Sequence, residues 1–303
     1  MTENYLYHQP VLLHEAVEAL QIVPGGIYVD VTFGGGGHSK AILDKLDESG
    51  RLIAFDQDQD ALQNTIEDKR FTLVSHNFKH LKRFLRMYGI SEVNGILADL
   101  GVSWHQFNTP DRGFSLRFGN EQLDMRMSAD NELSAIEVLN KYPMINLSHI
   151  FKEYGDLPNA RKLAQAVVHE RQKRPIETIQ QLLVLAEPLS IGKPQQYFAR
   201  VFQAVRMEVN KEVEALQSLL EQSVEVLKPG GLLVVISYHS VEDRMVKNYI
   251  KTGSIDGIVK TDLYGHGNIP LAVVNKNLIT PTESEIRQNP KASSAKMRIA
   301  QKK

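Results

Sequence analysis

A buried strand that breaks into four consecutive glycines and restarts as a helix constrains this chain more than any other feature. It runs Ile27-Tyr28-Val29-Asp30-Val31-Thr32-Phe33-Gly34-Gly35-Gly36-Gly37-His38-Ser39-Lys40, with Ala41, Ile42 and Leu43 continuing the helix. Valine, isoleucine and an aromatic suit a pleated strand, and a short apolar run bounded by glycine fits a buried one. Glycine loses the most backbone entropy on ordering, so four in a row extend neither element cheaply. They do let backbone N–H groups approach a ligand closely, at the positive end of the helix that follows. One glycine would serve a turn; four predict a cofactor cradle.

The same rhythm repeats downstream. Apolar runs at 51–56, 71–74 and 95–99 read as strands, with helical patterns at 9–20, 39–46, 60–68 and 81–88 between or before them. Strands alternating with helices at this spacing predict βαβ units and a parallel sheet. After Asp99 the rhythm stops. Residues 101–127 read as a loop carrying Pro110, Gly113 and Gly119, and from 133 to 227 every periodic segment is helical. Pro229-Gly230-Gly231 then launches another buried strand at 232–237, and 297–300 reads as a short final one. The expected architecture is therefore an α/β sheet, discontinuous in sequence over 1–128 and 210–303, with an all-helical domain inserted at 129–209.

Composition narrows the class of protein. The 303 residues hold 42% apolar and 23% charged side chains, ordinary for a globular chain, and contain no cysteine. That excludes disulfides and thiolate metal sites and fits a cytoplasmic protein. No apolar run reaches the roughly 20 residues of a membrane span, and the polar, aromatic N-terminus carries no secretory core. The net charge of −1 conceals two basic stretches: five Lys/Arg and no acid at 70–88, and six with no acid at 287–303. Such surfaces can hold a phosphate backbone on an otherwise neutral protein.

In a parallel sheet, ligands bind beyond the carboxyl ends of the strands near the point where strand order reverses. Asp30, Asp56, Asn77-Phe78, Asp99 and the segment 237–240 fall there. Asp56 stands twenty-two residues after Gly34, the range from which a carboxylate reaches ribose hydroxyls. Both a nicotinamide dinucleotide and S-adenosylmethionine carry such a ribose. Gly34-x-Gly36-x-x-Ser39 is only a near match to the dinucleotide fingerprint, and Asp30 upstream would repel a pyrophosphate yet attract an ammonium group. Lys40 follows Ser39, so the loop lacks the Gly-Lys-Ser/Thr order of a P-loop. His76 and His80 lie four apart without an accompanying zinc motif, and no metal site is expected. Ser237, His239, Ser240 and Asp243 include hydrolase residue types but no Gly-x-Ser-x-Gly elbow.

Several longer motifs resemble one family. Asp30 to Ser39, Asp99-Leu100-Gly101-Val102-Ser103, Arg112-Gly113-Phe114-Ser115 and Leu123-Asp124-Met125-Arg126-Met127 are similar to the bacterial cytosine-N4 methyltransferases of small-subunit ribosomal RNA, the MraW family. So are Phe202-Gln203-Ala204-Val205-Arg206, Val209-Asn210-Lys211-Glu212 and the run from Ile236 to Arg244. The resemblance covers nearly the whole chain. It implies a class I, Rossmann-like methyltransferase that moves the methyl group of S-adenosylmethionine to a cytidine amine in the decoding region of 16S rRNA, within the small subunit. Carried over by position, Gly36, Gly37 and His38 would hold the methionine end, Asp56 the ribose and Phe78 the adenine, with Asp99 and Gln106 completing the pocket. Asp99 would orient the target amine or the cofactor, with Trp104 or Tyr238 stacking the base and Arg206, Asn210 and His239 on the substrate side. Trp104 and Phe107-Asn108 stand where the family usually has serine and Leu-Asp. The helical insert, with Arg161, Lys162, Arg171, Lys173, Arg174, Arg200 and Arg206, would be the RNA platform. A nicotinamide-dependent oxidoreductase and a non-catalytic RNA-binding assembly factor are the alternatives; monomer and homodimer both stay open.

Overall fold

A computed structural model describes residues 10–259, 261, 267–275 and 277–303; the polar stretch 1–9 and the first residue of the helix expected at 9–20 lie outside them. The chain divides into two compact units, Met1–Gly101 with Glu214–Lys303, and Val102–Val213.

The first unit is built on seven strands: β1 (Ile27–Asp30), β2 (Arg51–Phe55), β3 (Phe71–Val74), β4 (Val93–Asp99), β5 (Leu227–Ser237), β6 (Leu271–Val273) and β7 (Lys296–Lys302). Their order is β3-β2-β1-β4-β5-β7-β6. The first five are parallel; β7 runs antiparallel between β5 and β6. Strand order reverses between β1 and β4, which makes a Rossmann-like, doubly wound sheet with its switch point there. β6 has three residues, too few for an alternation to show in the sequence. Helices α1 (Leu13–Ala19), α2 (Gly37–Leu43) and α3 (Leu81–Met87) accompany the first strands. The segment expected as a helix at 60–68 is instead a 3₁₀ turn, Gln59–Asn64, capped by the Asp58 carboxylate accepting from the Asp60 amide.

Close packing at the centre of the sheet depends on Gly95 of β4, which lies opposite Tyr28 of β1. A Cβ there would fall 2.9 Å from Leu20 and 3.0 Å from the Tyr28 ring, so a side chain would push α1 off the sheet. Tyr28 is buried, and its hydroxyl accepts from the Val23 amide at 2.8 Å, satisfying the polar end of the ring. Val11, Leu12, Ala16, Val17 and Leu20 complete that side of the core with Ile42, Leu43 and Leu97.

The second unit holds α4 (Trp104–Asn108), α5 (Ala135–Lys141), α6 (Met144–Glu153), α7 (Ala160–Arg171), α8 (Ile179–Ala186) and α9 (Pro194–Val209). Ser103, Ser134 and Thr178 start α4, α5 and α8 through reciprocal capping boxes with Gln106, Glu137 and Gln181. This unit begins at Val102, although the sequence assigns 102–128 to the sheet domain. The reason is apolar: Phe114, Leu123, Met125 and Met127 are buried in one core with Val138, Phe151, Leu163, Tyr197 and Val201. The long helical run after Gln195 also proves to be two helices, α9 and α10 (Glu212–Val226), because Lys211 takes a left-handed φ of 51°. Two further helices of the first unit, α11 (Ser240–Thr252) and α12 (Glu283–Gln288), were not anticipated in the sequence.

Candidate active site

Register places three carboxylates at one edge of the sheet. Asp30 ends β1 opposite Ala54 of β2 and Leu97 of β4; Asp56 and Asp99 each stand two residues beyond those partners. All three side chains are tied down. Asp30 accepts from the Ser39 hydroxyl at 2.7 Å and the Thr32 amide at 3.1 Å. Asp56 accepts from the Gly34 amide at 2.8 Å and the Asp58 amide at 2.9 Å. Asp99 accepts from the Tyr238 hydroxyl at 2.7 Å, while its own amide donates to the Thr32 hydroxyl.

Burial dominates their electrostatics. Desolvation pushes Asp56 from 3.8 up to about 6 against the pull of its two backbone donors, with Asp58 and Asp30 adding repulsion. Asp99 rises likewise from 3.8 to about 6, held back by His38 and the Tyr238 hydroxyl. Asp30 is also raised by burial. The crevice therefore concentrates negative charge. A pyrophosphate would be repelled there, whereas a ligand bearing an ammonium and a sulfonium would relieve the repulsion.

The glycine loop supplies room. Gly34 and Gly36 have φ of 53° and 76°, a region that penalises any side chain. A Cβ on Gly34 would meet nothing within 4 Å, whereas one on Gly36 would press on the Phe33 ring at 3.0 Å. Gly34 thus borders open space at the start of the loop, and the first amides of α2 lack intrahelical acceptors. The Asn64 side chain holds the loop from below by donating to the Gly34 carbonyl at 3.1 Å.

His38 and Phe78 lie in this unit with the carboxylates. His38 is buried, and its Nε2 donates to the Val11 carbonyl at 3.2 Å. Its Nδ1 therefore carries the lone pair and lies 3.8 Å from Asp99 Oδ2. Burial drives the ring towards neutrality, opposed by Asp99. The sequence missed this partner because Val11 is 27 residues away. Phe78 opens the 3₁₀ turn Phe78–His80 and is partly buried; beside it, Asn77 donates to Gln57 at 2.7 Å and links the tips of β3 and β2. His76 stacks on Phe84 at 4.8 Å, so it does not share a helical face with His80.

The Ile236 to Arg244 motif is chiefly a brace. Tyr238 donates its amide to Glu242 at 2.9 Å and its hydroxyl to Asp99, with its ring against Gly101. His239 caps α11 and pairs with the buried Glu242 at 3.2 Å, which engages the ring expected on the substrate side. Asp243 takes a bidentate pair from Arg298 at 2.7 and 3.1 Å, and Ser237 donates to the Lys296 carbonyl, so no hydrolytic triad forms.

Other expected residues lie in the helical unit. Gln106 is buried with its Oε1 accepting from the Ser103 amide, which makes it the capping residue of α4. Asn210 is buried, its Oδ1 accepting from Met127 at 2.7 Å and its Nδ2 donating to the Met125 and Arg206 carbonyls. Arg206 forms a bidentate pair with Glu212 at 2.8 and 2.9 Å, both side chains largely buried. Trp104 is 47% exposed. The departures at Phe107 and Asn108 are matched by Arg117, whose guanidinium lies 5.4 Å from the Phe107 ring and donates to Asn108 at 2.5 Å. Most of the proposed basic platform is engaged within the unit: Arg171 binds the Leu139 carbonyl, Lys173 and Arg174 pair with Glu170, and Arg200 reaches the Asp156 carbonyl. Arg161 and Lys162 remain exposed.

A cationic ligand with a ribose, bound across this sheet order, describes a Rossmann-like methyltransferase that uses S-adenosylmethionine. The chain belongs to the MraW methylase family, whose model matches residues 5–303. It is 55% identical to a ribosomal RNA small subunit methyltransferase H of Christiangramia forsetii over 98% of both chains, and 53% identical to the protein so named in Flavobacterium johnsoniae over the full length of both. Among solved structures, a putative rRNA-methylase of Clostridium thermocellum is similar over 97% of this chain and 98% of its own, with a TM-score of 0.46 and 13% identity.

Proposed function

We propose that the protein methylates the exocyclic N4 amine of one cytidine in the decoding region of 16S rRNA, acting in the cytoplasm on the small ribosomal subunit. The reaction class rests on a single observation, the cluster of the carboxylates Asp30, Asp56 and Asp99 at the switch point. The acceptor rests on the small-subunit rRNA named for both relatives and on the motifs shared with cytosine-N4 methyltransferases.

Bound S-adenosylmethionine would supply an electrophilic methyl group, with a neutral thioether as the leaving group. Asp56 would accept from the ribose hydroxyls, and the first amides of α2 and the buried Asp30 would hold the amino-acid end. A cytosine amine is a weak nucleophile because its lone pair is delocalised into the ring. Asp99 accepts one of its N–H bonds, which holds the remaining lone pair in line with the methyl carbon. As the N–C bond forms, that N–H bond breaks, its electron pair returns to nitrogen, and the proton passes to the carboxylate. A site that titrates near neutrality suits an acceptor which must take this proton and then release it.

Incubation with labelled S-adenosylmethionine and undermethylated small subunits, followed by nuclease mapping, tests the assignment. One labelled N4-methylcytidine is expected. RNA binding without transfer would instead identify an assembly factor, and a melting temperature raised by NADH but not by S-adenosylmethionine would identify an oxidoreductase.

A further inference from the structure

The tip of β4 bears an acid but no aromatic beside it, since Leu100-Gly101-Val102 follows Asp99. An aromatic reaches it from elsewhere in the unit: Tyr238, 139 residues on, places its hydroxyl 2.7 Å from Asp99 Oδ1. We propose that Tyr238 is a positioning residue that occupies Asp99 Oδ1, so that Oδ2 is the oxygen presented to the target amine. This rests on the reading of Asp99 given above and deepens it.

Several observations converge. The Tyr238 phenol is held well above its ordinary pKa by burial and by the Asp99 and Glu242 charges, so it is always a donor at physiological pH. Its backbone is fixed independently, because the amide donates to Glu242 Oε2 at 2.9 Å. Its ring lies against Gly101, where a Cβ would come within 3.4 Å, and Gly101 has a φ of 104° that disfavours other residues. The ring is thus spent on packing and the hydroxyl on the carboxylate. The Asp99 backbone is held by the Thr32 hydroxyl, so neither end of the residue swings freely.

Other groups around Asp99 cannot do the same work. His38, on α2, has its proton on Nε2 facing Val11, and its Nδ1 stands 3.8 Å from Oδ2, too far for a hydrogen bond. Asp30, at the end of β1, and Glu242, on α11, act on Asp99 only through repulsion. Tyr238 is therefore the side-chain donor that fixes which carboxylate oxygen is occupied. It also steadies the ionised form, because a hydrogen bond to a carboxylate favours its charge.

The test is Tyr238→Phe, which keeps the ring and removes the donor. Methyl transfer to small subunits should fall at least about tenfold in kcat, as expected for losing one buried charge-assisted hydrogen bond. The KM for S-adenosylmethionine should stay within a few-fold, and the acid limb of the kcat–pH profile should move to higher pH. In an Asp99→Asn background the same change should cost nothing further, since the two residues act as a unit. If the phenylalanine variant does not fold, 3-fluorotyrosine at 238 serves instead: its stronger donation should move the acid limb to lower pH. A Tyr238→Phe enzyme with unchanged kcat and pH profile overturns the proposal, as do losses that add to those of Asp99→Asn. Failure of the wild-type protein to methylate subunits would overturn the functional reading itself, which keeps the two apart.

Discussion

Replacing Asp99 with asparagine removes one buried negative charge while conserving shape. The carboxyl titrates near 6 in the fold against 3.8 ordinarily. A raised acid contributes stability that is fully present below about pH 3.8 and is lost as pH climbs through 6, so above pH 7 the ionised group sits at a cost. Two pKa units at about 1.4 kcal/mol each make that cost about 3 kcal/mol. The side chain is 22% exposed, so this is a ceiling. Asparagine keeps an acceptor for Tyr238 but loses charge assistance, returning about 1 kcal/mol. Without cofactor, Asp99→Asn should be more stable than wild type by up to about 2 kcal/mol at pH 7.5. The advantage should shrink by about the same amount at pH 4.5, where the wild-type carboxyl is mostly protonated. Urea unfolding of both proteins at the two pH values measures this, while methyl transfer should fall by two orders of magnitude or more. An asparagine variant less stable at pH 7.5, or an advantage independent of pH, would refute the claim that the site stores uncompensated charge.

The same electrostatics reach cofactor binding. With Asp56 and Asp99 both ionising near 6, affinity for S-adenosylmethionine by calorimetry should weaken at least about tenfold from pH 7.5 to 5. Gly36→Ala should lose about 1 kcal/mol to its left-handed φ and weaken cofactor binding by equilibrium dialysis, since the added Cβ presses on Phe33. Asn210→Ala strips three hydrogen bonds from a buried amide and should cost about 2–4 kcal/mol in chemical denaturation while leaving cofactor affinity at low temperature unchanged. Lys79, Arg83 and Arg86 are exposed beside or on α3, and the positive field of Lys79 and Arg83 adds to burial in lowering the His80 pKa. Reversing Arg83 and Arg86 to glutamate should weaken subunit binding, flatten its salt dependence and leave cofactor affinity intact.

Much of this site was legible in the sequence because continuous apolar runs that stop at a carboxylate announce the ends of buried strands. Asp30, Asp56 and Asp99 could be placed at one edge of a sheet from spacing alone, and the glycines between Phe33 and His38 marked the switch point. What stayed hidden was the direction of each side chain within a motif. Gln106, Arg206 and Asn210 were expected from the family resemblance, yet a resemblance does not show which groups of the protein each side chain also holds; their hydrogen bonds do. Boundaries failed for the same reason. The stretch 102–128 reads as loop because its apolar residues are irregularly spaced, while Leu123, Met125 and Met127 fill the helical core from an irregular backbone in which Met125 takes a left-handed φ of 61°. The pairing of Tyr238 with Asp99 joins residues too distant for any local pattern to reveal.

The strand order imposes a timetable on synthesis. β4 must pair on one side with β5, but the entire unit Val102–Val213 emerges from the ribosome between them. β5 in turn is flanked by β7. A nascent chain therefore holds β4 with the edge that β5 will occupy still open while the unit Val102–Val213 is made, roughly five to twenty seconds of elongation. Early condensation of those helices on their own core would shorten the flexible closure that β5 must later accomplish. Until β5 is released, Asp99 stands at the rim of an unfinished sheet. A product truncated before β5 would leave that side of β4 unpaired and lack Tyr238, the partner of Asp99, and should be inert as well as unstable.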